Sequence, residues 1–68
     1  MPSPIRFAEI QRLLNSHGWY WTRTNGSHRT FTRAGKPSLT VPMCGREKVK
    51  HVYLREAQSF IAKHTQGA

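Results

Sequence analysis

The sequence predicts an α+β fold of order α-β-β-β-α, in which a three-stranded antiparallel sheet carries two helices on one face. Three observations predict it. Apolar residues recur at helical spacing near both ends of the chain, and the middle is aromatic, Thr-rich and alternating. The breaks between the middle runs are short and hold glycine or proline.

Ser3-Pro4 reads as a helix start, because serine caps and proline suits the first helical position. Phe7, Ile10 and Leu14, reinforced by Leu13, then form a 3.6-period apolar face. Gly18 after His17 is a stop signal, since glycine enters the left-handed conformation at little cost. The first helix is therefore expected over Ile5 to His17. From Trp19 the pattern turns to strand. WYWTRT, HRTFTR and SLTV are separated by Asn-Gly-Ser and by Ala-Gly-Lys-Pro, both hairpin-type connections. Pro42 ends the third strand, and MCGREKVK is expected to be a loop. VYLREAQSFIAKH resumes helical spacing, with Leu54, Ala57 and Ile61 in one stripe and Tyr53 and Phe60 beside it. Among Trp19, Tyr20 and Trp21, alternation sends Tyr20 outward if the two tryptophans pack on the helices. The whole is the arrangement of double-stranded-RNA-binding domains, and residues 1–68 are read as a single domain.

Size and charge narrow the function. A chain of 68 residues buries only about 60% of its unfolded surface. Cys44 is the only cysteine, with no CxxC and no paired His/Cys spacing, which suits a reducing compartment and no structural zinc. The N-terminus shows no signal-peptide pattern and nothing approaches the roughly 20 apolar residues of a membrane span, so a cytoplasmic protein is expected. Eleven Lys and Arg stand against three acids, Glu9, Glu47 and Glu56, for a formal charge of +8 and a pI near 11.0. The signs are not interspersed, and the cations are spread along the chain instead of lying on one amphipathic helix. Together with the aromatic content this points to nucleic acid in preference to a membrane.

His28 stands where the first hairpin turns, with Arg23, Arg29 and Arg33 around it. By itself such a histidine is more often a turn residue than a catalyst. Its neighbours extend the pattern: His17-Gly18-Trp19 after a helix, Gly26-Ser27-His28 between two strands, Leu39-Thr40-Val41-Pro42, then a basic loop and a closing helix. Over about Ile5 to Ile61 this resembles the HicA toxins, small ribonucleases (mRNA interferases) of bacterial toxin–antitoxin systems. The resemblance implies a double-stranded-RNA-binding-like fold, mRNA as substrate, translation as the process inhibited and His28 as the residue required for cleavage. It also implies a HicB-like antitoxin that covers the active surface. The chain departs from the pattern at Met43-Cys44, where the family often has a basic residue and a histidine, and at Val52-Tyr53, where it tends to have Gly-Thr.

RNA cleavage fits the residues present. The 2′-OH is an internal nucleophile, so the protein needs only proton transfer and stabilisation of a dianionic phosphorane. Histidine titrates near working pH and suits the proton step. Arg23, Arg29, Lys36, Arg46, Lys48 and Lys50 are the candidate phosphate-binding cations, and Gly26 and Ser27 candidate backbone or hydroxyl contacts. No metal or other cofactor is expected, because three scattered glutamates cannot form a two-metal carboxylate cage. His51, beside Lys48 and Lys50, is a candidate general acid. His17 and His64 read as helix-end residues, and Cys44 as a small loop residue. Two other readings stay open: an RNA-binding module of the same fold that does not cut, and a subunit whose main role is assembly with an acidic partner.

Overall fold

A computed structural model describes residues 3–65; the outermost positions of the expected 1–68 domain lie outside it. The elements in chain order are β1 (Ile5–Arg6), α1 (Phe7–Asn15), β2 (Tyr20–Asn25), β3 (His28–Thr32), β4 (Leu39–Pro42), β5 (Lys48–Val49) and α2 (His51–Thr65). Strands β2, β3 and β4 form an antiparallel sheet in that order, so the α-β-β-β-α expectation holds.

Both ends of α1 differ from the sequence reading. Ser3 and Pro4 are exposed and precede β1 instead of capping the helix. Ile5 and Arg6 pair antiparallel with Val49 and Lys48, a partner that helix would forfeit, so α1 begins two residues later. Its free N–H groups are met from elsewhere. The Arg6 N–H donates to the Glu9 carboxylate at 3.4 Å, and the Phe7 N–H donates to the Glu47 carbonyl at 2.9 Å. The same pairing corrects MCGREKVK, which is not all loop: it contains β5, and Val49 is fully buried.

At the other end, Gly18 takes φ +91°. The Trp19 N–H donates to the Leu14 carbonyl at 3.0 Å and the Gly18 N–H to the Asn15 carbonyl at 3.1 Å, a Schellman pattern. Arg33 completes the cap by donating to the His17 carbonyl at 3.0 Å, with its guanidinium 5.1 Å above the Trp19 ring.

The core joins Phe7, Ile10 and Leu14 of α1, Trp19 just before β2, Phe31 and Val41 from the sheet, Val49, and Ala57 and Ile61 of α2. Leu54, Tyr53 and Phe60 pack against it half-buried, as the α2 stripe implies. The buried indole of Trp19 donates to the Pro37 carbonyl at 3.1 Å, tying the β3–β4 connection to the core. Alternation along β3 sends Phe31 and Arg29 to the helix side and His28, Thr30 and Thr32 to the open side. A bulge between Trp21 and Arg23 keeps Trp21 opposite Phe31 yet places Arg23 opposite Thr30. The open face carries a threonine ladder, Thr22–Thr32 at 3.0 Å and Thr30–Thr40 at 3.3 Å, and Tyr20, 55% exposed. Tyr20 points to the open face, as alternation required, although Trp21 on the helix side is itself 39% exposed.

Candidate functional site

The β2–β3 turn has two residues, Gly26 and Ser27, between the paired Asn25 and His28. Gly26 takes φ +62°, the positive φ that a two-residue type II′ loop needs at its first central position. A side chain there would meet no atom within 4 Å, so the turn demands glycine for its backbone and not for space. His28 opens β3, exposed, with Asn25 on one side and Pro42 on the other. The Ser27 carbonyl accepts the Met43 N–H at 2.6 Å, which fastens the hairpin tip to the chain leaving β4.

The nominated cations divide into four groups. Arg23 shares the open face with His28, one diagonal step away, roughly 7–8 Å between Cα positions. Arg46, Lys48 and Lys50 belong to the segment that leaves β4 beside the hairpin tip. The Cys44 N–H donates to the Lys48 carbonyl at 3.0 Å, closing a tight turn around Arg46 and Glu47. Lys48 and Lys50 flank buried Val49 and are exposed. Lys36, by comparison, sits in the β3–β4 connection at the opposite end of the sheet, separated from His28 by the length of β3, roughly 15 Å.

Arg29 is placed differently again. It lies on the helix side, its guanidinium 4.5 Å from the Phe7 ring centroid and 4.3 Å from that of Trp21. Two hydrogen bonds, at 2.8 and 3.3 Å, commit it to the Glu47 carboxylate. Its side chain is only 16% exposed. Arg29 and His28 are adjacent in sequence and face opposite ways. The hydrogen bond from Arg29, and then the attraction of Arg29 and Arg46, hold the Glu47 carboxyl below its ordinary range.

His17 and His64 are helix-end residues, as expected. His17 places Nδ1 3.1 Å from the Leu13 carbonyl, and His64 packs on the Phe60 ring at 4.6 Å. His51 is half-buried in the first turn of α2, one residue after Lys50. Among the described residues no group of three His, Cys, Asp or Glu could hold a metal ion.

Sequence reasoning missed two parts of this region. One is Glu47, whose only sequence signal is that it stands alone as an acid in a basic loop. The other is a cavity of about 300 Å³ lined by Pro42, Met43, Cys44, Lys50 and Tyr53. A larger groove, about 470 Å³, runs between α2 and Leu39 and contains none of the nominated residues, so volume alone does not locate the chemistry.

The comparison with known families decides the assignment. The family model of the HicA toxin of bacterial toxin–antitoxin systems matches residues 7–65 of the 68-residue chain. The chain belongs to the HicA toxin family. The resemblance carried by Gly18-Trp19, Gly26-Ser27-His28 and Val41-Pro42 is thereby borne out, and a toxin–antitoxin setting with it. No curated protein and no solved structure matches the chain. Among the described residues of this HicA-family chain, no helix is long and apolar enough to cross a membrane.

Proposed function

We propose that this HicA-family chain is a metal-free endoribonuclease that cleaves mRNA and so inhibits translation, with His28 as its acid–base group. The observation that carries the reading is the position of His28: exposed on the open sheet face, at the tip of a hairpin, with Arg23 beside it and the Arg46–Lys50 segment fastened to the same tip. A phosphodiester laid across this tip meets one group able to move a proton and several able to hold negative charge.

In this reading neutral His28 accepts the 2′-OH proton as the O2′–P bond forms. The P–O5′ bond then breaks, and the departing 5′-oxygen takes a proton from water. A cyclic phosphate and a free 5′-OH result, with no redox change. Positioned acid–base catalysis of this kind is worth about 10²–10⁴-fold. Arg23, Arg46, Lys48 and Lys50 supply the stabilisation of the phosphorane, and the Gly26-Ser27 turn brings backbone close to the phosphate. Arg29 contributes by holding Glu47 and the loop, and Lys36 by general attraction. An acidic HicB-like antitoxin neutralises the toxin in the cytoplasm, where Cys44 stays reduced.

One observation favours a second reading, an RNA-binding module that does not cut: none of the described hydrogen bonds orients the His28 imidazole. Brief induction of wild type and of His28→Ala, followed by growth and total-RNA integrity, separates the two. Growth arrest with fragmented messages from wild type alone supports cleavage. Equal harmlessness or equal toxicity of the two proteins overturns it.

A further inference from the structure

The cavity beside His28 has the composition of a nucleotide subsite. Its wall begins at Pro42, the residue paired with His28 across the sheet, and continues through Met43, whose N–H is bonded to the Ser27 carbonyl. Proximity to the hairpin tip is therefore fixed by backbone pairing and hydrogen bonding, not by flexible side chains. Met43 and Tyr53 are half-buried and packed against the core, so the apolar part of the wall is preformed. Lys50, exposed, supplies a cation on the same cavity. The volume, about 300 Å³, stands at the small end of ligand sites and suits a single base with part of its sugar. An aromatic ring and a polarizable thioether are surfaces on which bases pack, and a lysine next to them suits the phosphate that the same nucleotide carries.

We infer that this cavity receives the base of an unpaired nucleotide next to the scissile phosphate, so that Tyr53 and Met43 set base preference while Lys50 holds the adjoining phosphate. The inference rests on the ribonuclease reading for the words "scissile phosphate", but the binding it describes does not require cleavage. A base inside the cavity cannot be in a duplex, so the substrate must present an unpaired base at this point despite the likeness of the fold to duplex-binding domains. Three of the wall residues, Met43, Cys44 and Tyr53, are at positions where the chain departs from the pattern it resembles. The preference is therefore a property of this chain and not of the family.

The test uses the full chain carrying His28→Ala, so that RNA survives the measurement. Fluorescence anisotropy gives its affinity for octanucleotides of each of the four bases and for an abasic ribose-phosphate octamer of the same charge. The expected result is that at least one homopolymer binds about tenfold or more tighter than the abasic chain. Adding Tyr53→Ala should abolish that gap while leaving abasic affinity unchanged, and adding Tyr53→Phe should preserve it. Because Tyr53 also packs on the core, Cys44→Leu gives a second arm: it fills the cavity from an exposed wall and should close the same gap in a protein that melts as before. A base-dependent gap that survives both Tyr53→Ala and Cys44→Leu overturns the inference, as does the absence of any gap. Cleavage of the same oligomers by wild type is scored separately. Cleavage without a Tyr53-dependent gap leaves the nuclease and removes the subsite; the gap without cleavage does the reverse.

Discussion

Glu47 and Arg29 are joined by two hydrogen bonds, 2.8 and 3.3 Å, although Glu47 itself is held at φ +55°, a backbone region that side-chain-bearing residues rarely enter. The same residue gives its carbonyl to the first N–H of α1. One glutamate thus connects the loop after β4, the guanidinium set against the Phe7 and Trp21 rings, and the start of a helix. The only acid in a basic loop is a structural part of the fold.

This relationship fixes a pH dependence. Arg29 lowers the Glu47 carboxyl in the folded state, so the pair stabilises fully above the unfolded glutamate value, about 4.3. That contribution is lost as pH falls through the lower folded value. Wild type should therefore lose melting temperature more steeply on acidification below about pH 4.5 than Glu47→Gln does, with the two curves converging at low pH. Parallel curves measured by circular dichroism would refute the pairing.

His28→Ala should separate activity from stability. The side chain is exposed and takes part in none of the described hydrogen bonds, so unfolding free energy should change by no more than about 0.5 kcal/mol. RNA cleavage should fall by about 10²–10⁴-fold. Denaturant titration and a gel-based cleavage rate on the same preparations check both halves.

Gly18→Ala should destabilise by about 1–2 kcal/mol from the positive φ alone. It should exceed Gly26→Ala, because a Cβ at position 18 comes within 3.1 Å of Arg33 Nε and disturbs the α1 cap, whereas one at position 26 meets nothing within 4 Å. Urea unfolding of both variants gives the order directly. The reverse order would mean that Arg33 does not close the helix end.

The placement of the cations predicts unequal effects on RNA affinity. Arg23→Gln and Lys48→Gln should each weaken binding and reduce the magnitude of the salt slope by about 0.7, the value for one fewer phosphate neutralised on a single strand. Lys36→Gln, at the far end of β3, should change the slope by much less. Anisotropy titrations from low to moderate salt with a single-stranded oligonucleotide distinguish the two classes.

What was legible in the sequence was local and periodic. The Phe7/Ile10/Leu14 face, the Gly18 stop, the three strand runs and the α2 stripe each state their structure within a few residues. A turn at Asn25-Gly26-Ser27 could be read for the same reason, although Asn25 proves to be the last residue of β2. Ile5 and Val49 could not, because each is a strand residue only through the other, and neither has an alternating neighbourhood of its own. Arg29 looked like a free cation because its partner is 18 positions away. The bulge after Trp21 matters for Arg23: without it, simple alternation puts Arg23 on the helix side with Trp21. The cavity at Met43, Lys50 and Tyr53 likewise assembles residues from β4, the loop and α2 that no spacing rule connects.

The two-stranded sheet of β1 and β5 has a consequence for the order in which the molecule is made. The pairing of Ile5 with Val49 closes a chain segment spanning 44 positions, whereas β2 and β3 meet across two residues. Loop closure costs more entropy the longer the loop, and distant pairings form late. We expect the hairpin carrying His28 to be structured first and the segment from Cys44 to Lys50 last. Pulsed hydrogen exchange should then protect the Thr30 amide before that of Phe7, which donates to the Glu47 carbonyl across the long closure, and simultaneous protection would disprove the sequence of events. A newly folding chain would for a time possess the imidazole and Arg23 without Arg46, Lys48 and Lys50.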